Sequence, residues 1–357
     1  MNQIKSKEHL REMLLEIGTE SFRTNQIWEW IYNKGCNDFI KMTNLSSNLR
    51  EKLSEYIRIP RLNTKVELMS RDGTIKWLLG LDDKNEIETV FIPEKNRGTV
   101  CVSSQVGCTL TCKFCHTGTQ KLVRNLTANE IVSQVMIVKD KINDWCNSTE
   151  KRLSNIVFMG MGEPMLNYEN VADAVRILTD KNGLNYGKKR ITISTSGLVP
   201  QIEQCAKDLG VRLAISLHAV TDDLRDELVP INKKYKIQEL LNACKDYADA
   251  TGGERITFEY VMLDGVNDSD ADARKLVYLL KRIPSKVNLI PFNPWPGSPY
   301  VCSPEERIKR FSAIVRKAGY ISPVRVTRGQ DIMAACGQLK SNSIKLNHKL
   351  KNSHTQL

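Results

Sequence analysis

Three cysteines, Cys108, Cys112 and Cys115, fall within eight residues as Cys-x3-Cys-x2-Cys. Thiolates are the usual protein ligands of iron–sulfur clusters. Three of them on a four-iron cluster leave one iron able to take a further ligand, which turns an electron carrier into a place for chemistry. S-Adenosylmethionine is one source of radical chemistry beside such a cluster. The same thiols could instead hold zinc, with Cys101 or His116 as fourth ligand. Structural zinc wants four ligands in a tetrahedron, usually from two short pairs, and no second Cys-x2-Cys follows this one.

Other residues with chemical capacity stand at the ends of apolar runs. Gly160-Met-Gly-Glu-Pro164 follows Ile156-Val-Phe-Met159. Its glycines let backbone come close to a ligand, and Glu163 offers an acceptor for a cationic amine. Ser194, Ser216, His218 and Asn293 end further runs and could hydrogen-bond a ribose or a carboxylate; alone, His218 reads as a satisfied strand-end histidine. Cys336 lies in Ala-Ala-Cys-Gly, where small neighbours give a thiol room to meet a bulky substrate, or where a buried loop cysteine would sit. Cys101, in Thr99-Val-Cys-Val-Ser103, reads locally as a small core residue. Glu88, in Ile87-Glu-Thr-Val90, is either the exposed side of an alternating strand or a base whose pKa burial raises.

Positioning these groups requires a frame, and the apolar periodicity supplies one. Residues 1–60 read as a helical unit, with Leu10, Met13, Leu14 and Ile17, then Ile27, Trp28 and Ile31, then Leu49, Leu53, Tyr56 and Ile57 at helical spacing. A small β extension over 61–97 follows, with Arg71-Asp-Gly73 as its hairpin turn. Over 98–340, strands predicted at 98–106, 155–160, 190–195, 211–217, 256–263, 286–292 and 321–327 alternate with helices at 127–143, 168–180, 237–250, 270–282 and 304–317. Thr127-x-x-Glu130 is a capping box, and Ser303-Pro304-x-Glu306 adds proline at the first helical position. About six β–α repeats predict an α/β fold, a partial barrel with a parallel sheet instead of a closed eightfold one. Chemistry in such folds gathers at the carboxyl ends of the strands, where the cysteine loop, Gly160–Pro164, Ser194, Ser216, His218 and Asn293 fall. Residues 341–357 are polar and unpatterned, and are expected to form a disordered basic tail.

In the 357-residue chain, 41% of residues are hydrophobic and 26% charged, the balance of an ordinary globular protein. No targeting segment or membrane-length apolar run is evident, which predicts a cytoplasmic protein with free thiols and no membrane association. Cys36, Cys146, Cys205, Cys244 and Cys302 stand alone and read as structural or incidental. Net charge is +11, and from Arg307 onward eleven Lys or Arg face a single acid, Asp331. Positive charge gathered at one end predicts a footprint for phosphates.

Ser103-Ser-Gln-Val-Gly-Cys-Thr-Leu-Thr-Cys-Lys-Phe-Cys115, Arg124-Asn-Leu-Thr127, Met159-Gly-Met-Gly-Glu-Pro164, Arg225 through Pro230-Ile-Asn-Lys-Lys-Tyr235, Glu259-Tyr-Val-Met-Leu-Asp-Gly-Val-Asn-Asp268, Asn288-Leu-Ile-Pro-Phe-Asn293 and Asp331-Ile-Met-Ala-Ala-Cys-Gly-Gln-Leu339 together resemble the radical S-adenosylmethionine RNA methyltransferases. Within that family the likeness is to the branch that methylates carbon 2 of a specific adenosine in 23S rRNA and of the adenosine adjacent to the anticodon in tRNAs. The resemblance implies a partial (β/α)6 radical-SAM barrel with an N-terminal helical accessory domain that binds RNA.

It further implies a 4Fe–4S cluster on Cys108, Cys112 and Cys115, and S-adenosyl-L-methionine, two per turnover, contacted by Gly162, Glu163, Ser194, Ser216, Leu217, His218 and Asn293. Cys336 becomes the thiol that carries the methyl group, Cys101 a second thiol that forms a transient disulfide with it, and Glu88 the proton acceptor. Such parts suit the target: carbon 2 of adenine is electron-poor and bears only hydrogen, so it cannot attack a sulfonium methyl. The implied partners are the two RNAs and a low-potential electron donor such as flavodoxin or ferredoxin, with the enzyme a monomer. Two alternatives stay open. One is methylation at carbon 8 of the same adenosine, against which Gly162-Glu-Pro164 and Asn293-Pro-Trp-Pro-Gly-Ser-Pro299 speak. The other is a non-enzymatic, metal-containing RNA-binding protein with a zinc knuckle beside the basic tail.

Overall fold

The computed structural model describes residues 2–59, 61–95, 97–146 and 152–343. Its helical unit is built where serines cap apolar stripes. Ser6 Oγ accepts the His9 N–H at 3.1 Å to start α1 (Lys7–Glu16), which buries Leu10, Met13 and Leu14. Helix α2 (Arg23–Trp28) runs into a π-turn at Glu29–Asn33, and α3 (Ser47–Tyr56) begins at Ser46.

Three antiparallel strands follow, β1 (Asn63–Met69), β2 (Ile75–Gly80) and β3 (Glu86–Glu94). The predicted turn joins the first two: Asp72 Oδ1 accepts the Thr74 N–H at 2.9 Å, and Gly73 takes a φ of 84° that other residues resist. Strand β3 then pairs antiparallel with β4 (Arg97–Cys101), so the extension is continuous with the core sheet. From β4 onward the pairing is parallel through β5 (Leu153–Phe158), β6 (Ile191–Thr195), β7 (Arg212–Ser216), β8 (Ile256–Met262) and β9 (Ser285–Pro291). The nine strands lie in chain order, from β9 at one edge to β1 at the other.

Helices α4 (Ala128–Ile142), α5 (Tyr168–Thr179), α6 (Val199–Asp208), α7 (Asp222–Leu228), α8 (Ile237–Ala250), α9 (Asp270–Leu280) and α10 (Glu305–Lys317) complete six β–α units. Their apolar faces share one core with the face of the parallel strands that carries Ile193, Ile215, Phe258 and Leu289, while Ser194, Ser216 and Glu259 on the other face line a cavity. This is the expected partial (β/α)6 architecture, an open mixed sheet. No helix among the described residues is long and apolar enough to cross a membrane.

Four local readings are corrected. The run 98–106 is not one strand: β4 ends at Cys101, and Gln105–Val106 pairs antiparallel with Arg124–Asn125, closing the cysteine loop at its base. The run 321–327 follows the edge of β9 through isolated bridges only. Pro323 has no N–H to give, and its carbonyl accepts from Leu289 N at 3.0 Å. Pro304 is the N-cap of α10 and not its first residue, and Ser303 makes no capping bond. Order extends past Lys340: Ser343 Oγ accepts the Glu86 N–H at 2.7 Å. The rest of the expected tail, 344–357, lies outside the described residues.

The Thr127 capping box is intact, with Glu130 N–H on Thr127 Oγ1 at 3.3 Å and Thr127 N–H on Glu130 Oε2 at 2.9 Å. Thr127→Ala should therefore destabilise α4 by about 1 kcal/mol. Thermal unfolding would show a lowered midpoint that Thr127→Ser restores; an unchanged midpoint for the alanine variant contradicts the assignment.

Candidate active site

The carboxyl ends of the parallel strands open onto one cavity. Cys108, Cys112, Cys115, Gly162, Glu163, Ser194, Ser216, His218 and Asn293 all line it, together with Glu259 and Cys336. Beyond β5 the backbone folds back tightly: a Cβ on Gly160 would lie 2.7 Å from Val102 O, and one on Gly162, at φ 99°, 2.8 Å from Gln105 N. That turn delivers Glu163. Its Oε1 accepts the Met165 N–H at 3.0 Å and its Oε2 the Ser196 N–H at 2.9 Å. Burial raises the Glu163 pKa against the pull of those bonds.

His218 sits at φ 61°, a strained conformation for a non-glycine residue. Its Nδ1 accepts the Val261 N–H at 3.0 Å, and its ring packs edge-on to Phe114 at 4.4 Å. Burial holds its pKa down at about 3, so the ring is neutral and carries its proton on Nε2. Asn293 accepts from Thr327 Oγ1 at 3.1 Å and donates to Cys336 O at 3.2 Å. Leu217, between Ser216 and His218, is not itself among the residues lining the cavity. Its side chain is fully buried in the core, and its carbonyl is taken by Arg225 Nε at 3.1 Å.

Polar neighbours favour the thiolate at each of the three. Leu110 N–H meets Cys108 Sγ at 3.3 Å, while Thr117 and Gly118 near Cys115, and Ser196 near Cys112, oppose the rise that burial causes. Gly118 is required, because a Cβ there would stand 2.7 Å from Cys112 O. Burial pushes all three pKa values up, that of Cys112 to about 12, so metal must displace protons on binding. Among the described residues no three His, Cys, Asp or Glu side chains converge to hold a single ion. Three thiols with polar neighbours around one cavity fit a multi-atom cluster, whose potential depends on such neighbours. Glu163, the neutral His218 and the strand-end serines fit a zwitterionic nucleoside beside it.

A second cavity, of 510 Å³, adjoins the first, and Cys336, Asn293 and Leu339 line both. Cys101 and Arg325 line the second. Burial pushes the Cys101 thiol up to about 12, and Cys336 beside it adds to the rise while Arg325 opposes it. Cys336 is also raised by burial and eased by Arg325. Glu88 lines neither cavity. Its carboxylate pairs with Lys76 at 2.8 Å and accepts the Lys340 N–H at 2.9 Å, so here it tethers the segment that carries Cys336.

Sequence reasoning gave no role to Ser196, Arg225, Arg325 or Glu259. Ser196 lies two residues beyond the strand-end Ser194, and Arg225 and Glu259 open family-like stretches. Their roles depend on partners distant in the chain, which local spacing does not reveal.

Comparison with known proteins agrees with this geometry. Residues 102–277 match the Radical SAM superfamily, and residues 5–59 match a ribosomal RNA large subunit methyltransferase N-terminal domain. The chain is 55% identical over 342 residues to a dual-specificity RNA methyltransferase RlmN of Rhodospirillum rubrum, covering 95% of this chain and 80% of that protein. A Parvibaculum lavamentivorans protein of the same description is 58% identical, with 90% and 84% covered. Among solved structures, a radical SAM methyltransferase from Sphaerobacter thermophilus superposes with a TM-score of 0.88 at 47% identity, covering 94% of this chain and 97% of that one.

The neutral His218 makes the site acid-sensitive. Its pKa falls from an ordinary 6.5 to about 3 on folding, so the unfolded chain takes up a proton that the folded chain refuses. The stability this ring contributes is complete above pH 6.5 and is lost as pH falls toward 3. Urea midpoints between about pH 7 and 5 should drop further for the parent than for His218→Gln; equal drops would refute the buried neutral ring.

Proposed function

The chain belongs to the dual-specificity RNA methyltransferases of the radical SAM superfamily, and from that premise we propose that it methylates carbon 2 of a specific adenosine in 23S rRNA and of the adenosine adjacent to the anticodon in tRNAs. The observation that carries this reading is the shared wall: Cys336 faces both the cavity of the three cysteines and the 510 Å³ cavity lined by Cys101. A thiol with access to both sides can take a group from one and deliver it to the other.

The enzyme uses a 4Fe–4S cluster and S-adenosylmethionine. Cys108, Cys112 and Cys115 would hold the cluster; Glu163 would face the amine of the cofactor, with His218 Nε2–H, Ser194, Ser216, Asn293 and the Gly162 backbone around the rest. Once bound, they supply a one-electron cleavage that makes a carbon radical from a sulfur-borne methyl. Cys336 bears that methyl and presents it to the base. Cys101, whose proton burial retains, must lose it before it attacks the Cys336 sulfur, and Arg325 favours that loss; as the disulfide forms, the sulfur–methylene bond breaks, and the methylene carbon leaves with the electron pair and takes up a proton to become the product methyl. Glu88 accepts the carbon 2 proton once the Lys340 N–H lets go of it.

The helical unit over residues 1–60 and the basic carboxyl-terminal end grip RNA through phosphates, with an affinity that falls as salt rises. The target base leaves its stack to enter the second cavity. The protein acts as a cytoplasmic monomer supplied by a low-potential donor such as flavodoxin or ferredoxin.

Unmodified 23S rRNA and tRNA, incubated with anaerobically reconstituted enzyme and digested to nucleosides, should yield 2-methyladenosine by mass spectrometry. Finding 8-methyladenosine alone would overturn the site of methylation. Cys101→Ala should accumulate a covalent protein–RNA adduct through Cys336, seen as a band that nuclease removes; turnover without an adduct is incompatible with the resolving role.

A further inference from the structure

Lys76 and Glu88 form an ion pair, Nζ to Oε1 at 2.8 Å, in which the side chains are only 9% and 8% exposed. Removing two opposite charges from water costs about as much as their attraction returns, and apolar side chains of similar size are often as good for stability. The pair therefore asks for another reason, and its place in the sheet supplies one. Glu88 lies opposite Leu78 and Lys76 opposite Val90, so the two sit diagonally on one face of β2 and β3. Cys101 on β4 is the other cross-strand neighbour of Val90, which puts Lys76, Val90 and Cys101 in one row. Val90, Ile92 and Cys101 line the 510 Å³ cavity. Glu88 alternates with Val90 and Ile92 along β3, so it stands on the face that lines this cavity, one step beyond its wall.

Both carboxylate oxygens are taken. Oε2 accepts the Lys340 N–H at 2.9 Å, and Lys76 Nζ donates in addition to Met333 O at 3.1 Å, so both contacts reach the segment that carries Cys336. When the Lys340 N–H lets go, as proton transfer requires, Lys76 is the partner that remains. Among the described residues Lys76 pairs with no acid but Glu88. A carboxyl group this deep takes up a proton unless a cation faces it, and a Glu88 already protonated has no place for the proton of carbon 2. An uncharged donor would orient the group; a cation also keeps it ionised.

We infer that Lys76 is the positioning residue of the proton acceptor: its ammonium keeps buried Glu88 a carboxylate beside the second cavity and, through Met333 O, sets it against the segment that carries Cys336. The step it serves is an acid–base one. The carbon 2–hydrogen bond breaks, its electron pair stays on the ring, and the proton passes to the Glu88 oxygen that Lys340 vacates, while Lys76 keeps its own protons throughout. The inference rests on the reading that Glu88 is the proton acceptor.

The test compares anaerobically reconstituted parent, Lys76→Gln, Lys76→Arg and Glu88→Gln, each given S-adenosylmethionine and unmodified tRNA. Methyl carried by Cys336 is read by peptide mass spectrometry, the covalent protein–RNA adduct on a gel, and 2-methyladenosine after nucleoside digestion. Lys76→Gln keeps a hydrogen-bond donor and loses the charge. It should load Cys336 as the parent does, accumulate the adduct, and form product about a hundredfold more slowly, the lower end of what a general base contributes. Lys76→Arg keeps the charge and should restore product formation without a build-up of adduct. A glutamine variant that forms product at the parent's rate, or whose Cys336 loading falls as far as its product does, leaves Lys76 a structural residue and overturns the inference. An arginine variant that accumulates adduct as the glutamine variant does overturns it too. If Lys76→Gln does not fold, its combination with Glu88→Gln decides: without the carboxylate no cation is needed, so the double variant should fold, and one that stays unfolded refutes the inference. Turnover by Glu88→Gln without an adduct would instead defeat the assignment of Glu88 itself, whatever the lysine variants do.

Discussion

The site depends on a constraint that an open sheet cannot escape: its strand ends must be held together without a closed barrel to do so. Ser196 is the junction. Its N–H donates to Glu163 at the end of β5, its carbonyl is held by Arg225, and near Cys112 it opposes the rise of that thiol's pKa. Asn267 makes a second tie, donating to His218 O at 2.8 Å and Val261 O at 2.7 Å while accepting the Leu263 N–H at 2.9 Å. These side chains replace the ladder bonds that run out where the strands end. A buried network of this kind is specific because each missing partner leaves another polar group stranded. The geometry of the cofactor cavity and the pairing of β5 through β8 are therefore one problem with one solution.

The antiparallel strands β1 to β3 solve a different problem, the suspension of Cys336 over that cavity. Asp331 accepts from Ser70 Oγ at 2.6 Å and from Arg71 N–H at 3.2 Å, and Lys76 donates to Met333 O at 3.1 Å. Farther along, Glu88 holds Lys340 and Ser343 holds Glu86. From the opposite side, the cysteine loop donates His116 N–H to Gly337 O at 2.7 Å. Cys336 is thus strung between the hairpin strands and the loop of the three cysteines. Its attachments are apolar as well as polar: Ala334, Ala335 and Leu339 are buried, Asn293 donates to the Cys336 carbonyl, and Thr117 Oγ1 donates to the Leu339 carbonyl.

Much of this was legible in the sequence because it is local. The Cys-x3-Cys-x2-Cys spacing, the Thr127–Glu130 box and the β–α alternation each involve residues within a few positions of one another, where spacing dictates geometry. Reading failed where a distant partner decides. Nothing near Glu88 announces Lys76 or Lys340, and nothing near Arg225 announces Ser196. The run 321–327 has strand composition, but Pro323 leaves it a follower of β9. The Ser303-Pro304 signal named the right helix and the wrong cap, since proline took the cap position and left the serine hydroxyl without a hydrogen-bond partner.

Charge states complete the picture. Burial keeps the thiols of Cys108, Cys112 and Cys115 protonated and His218 neutral, and it pushes Glu163 toward its neutral form. The arginines resist this pressure: even at about 10 the pKa of Arg225 leaves it charged, and Arg325 beside Cys101 and Cys336 is held charged as well. The folded chain therefore lines its cavity with neutral thiols and a neutral imidazole, while buried arginines nearby keep their charge. Such a site is stable enough to fold before it is loaded, and its electrostatics are completed when thiol protons are exchanged for iron.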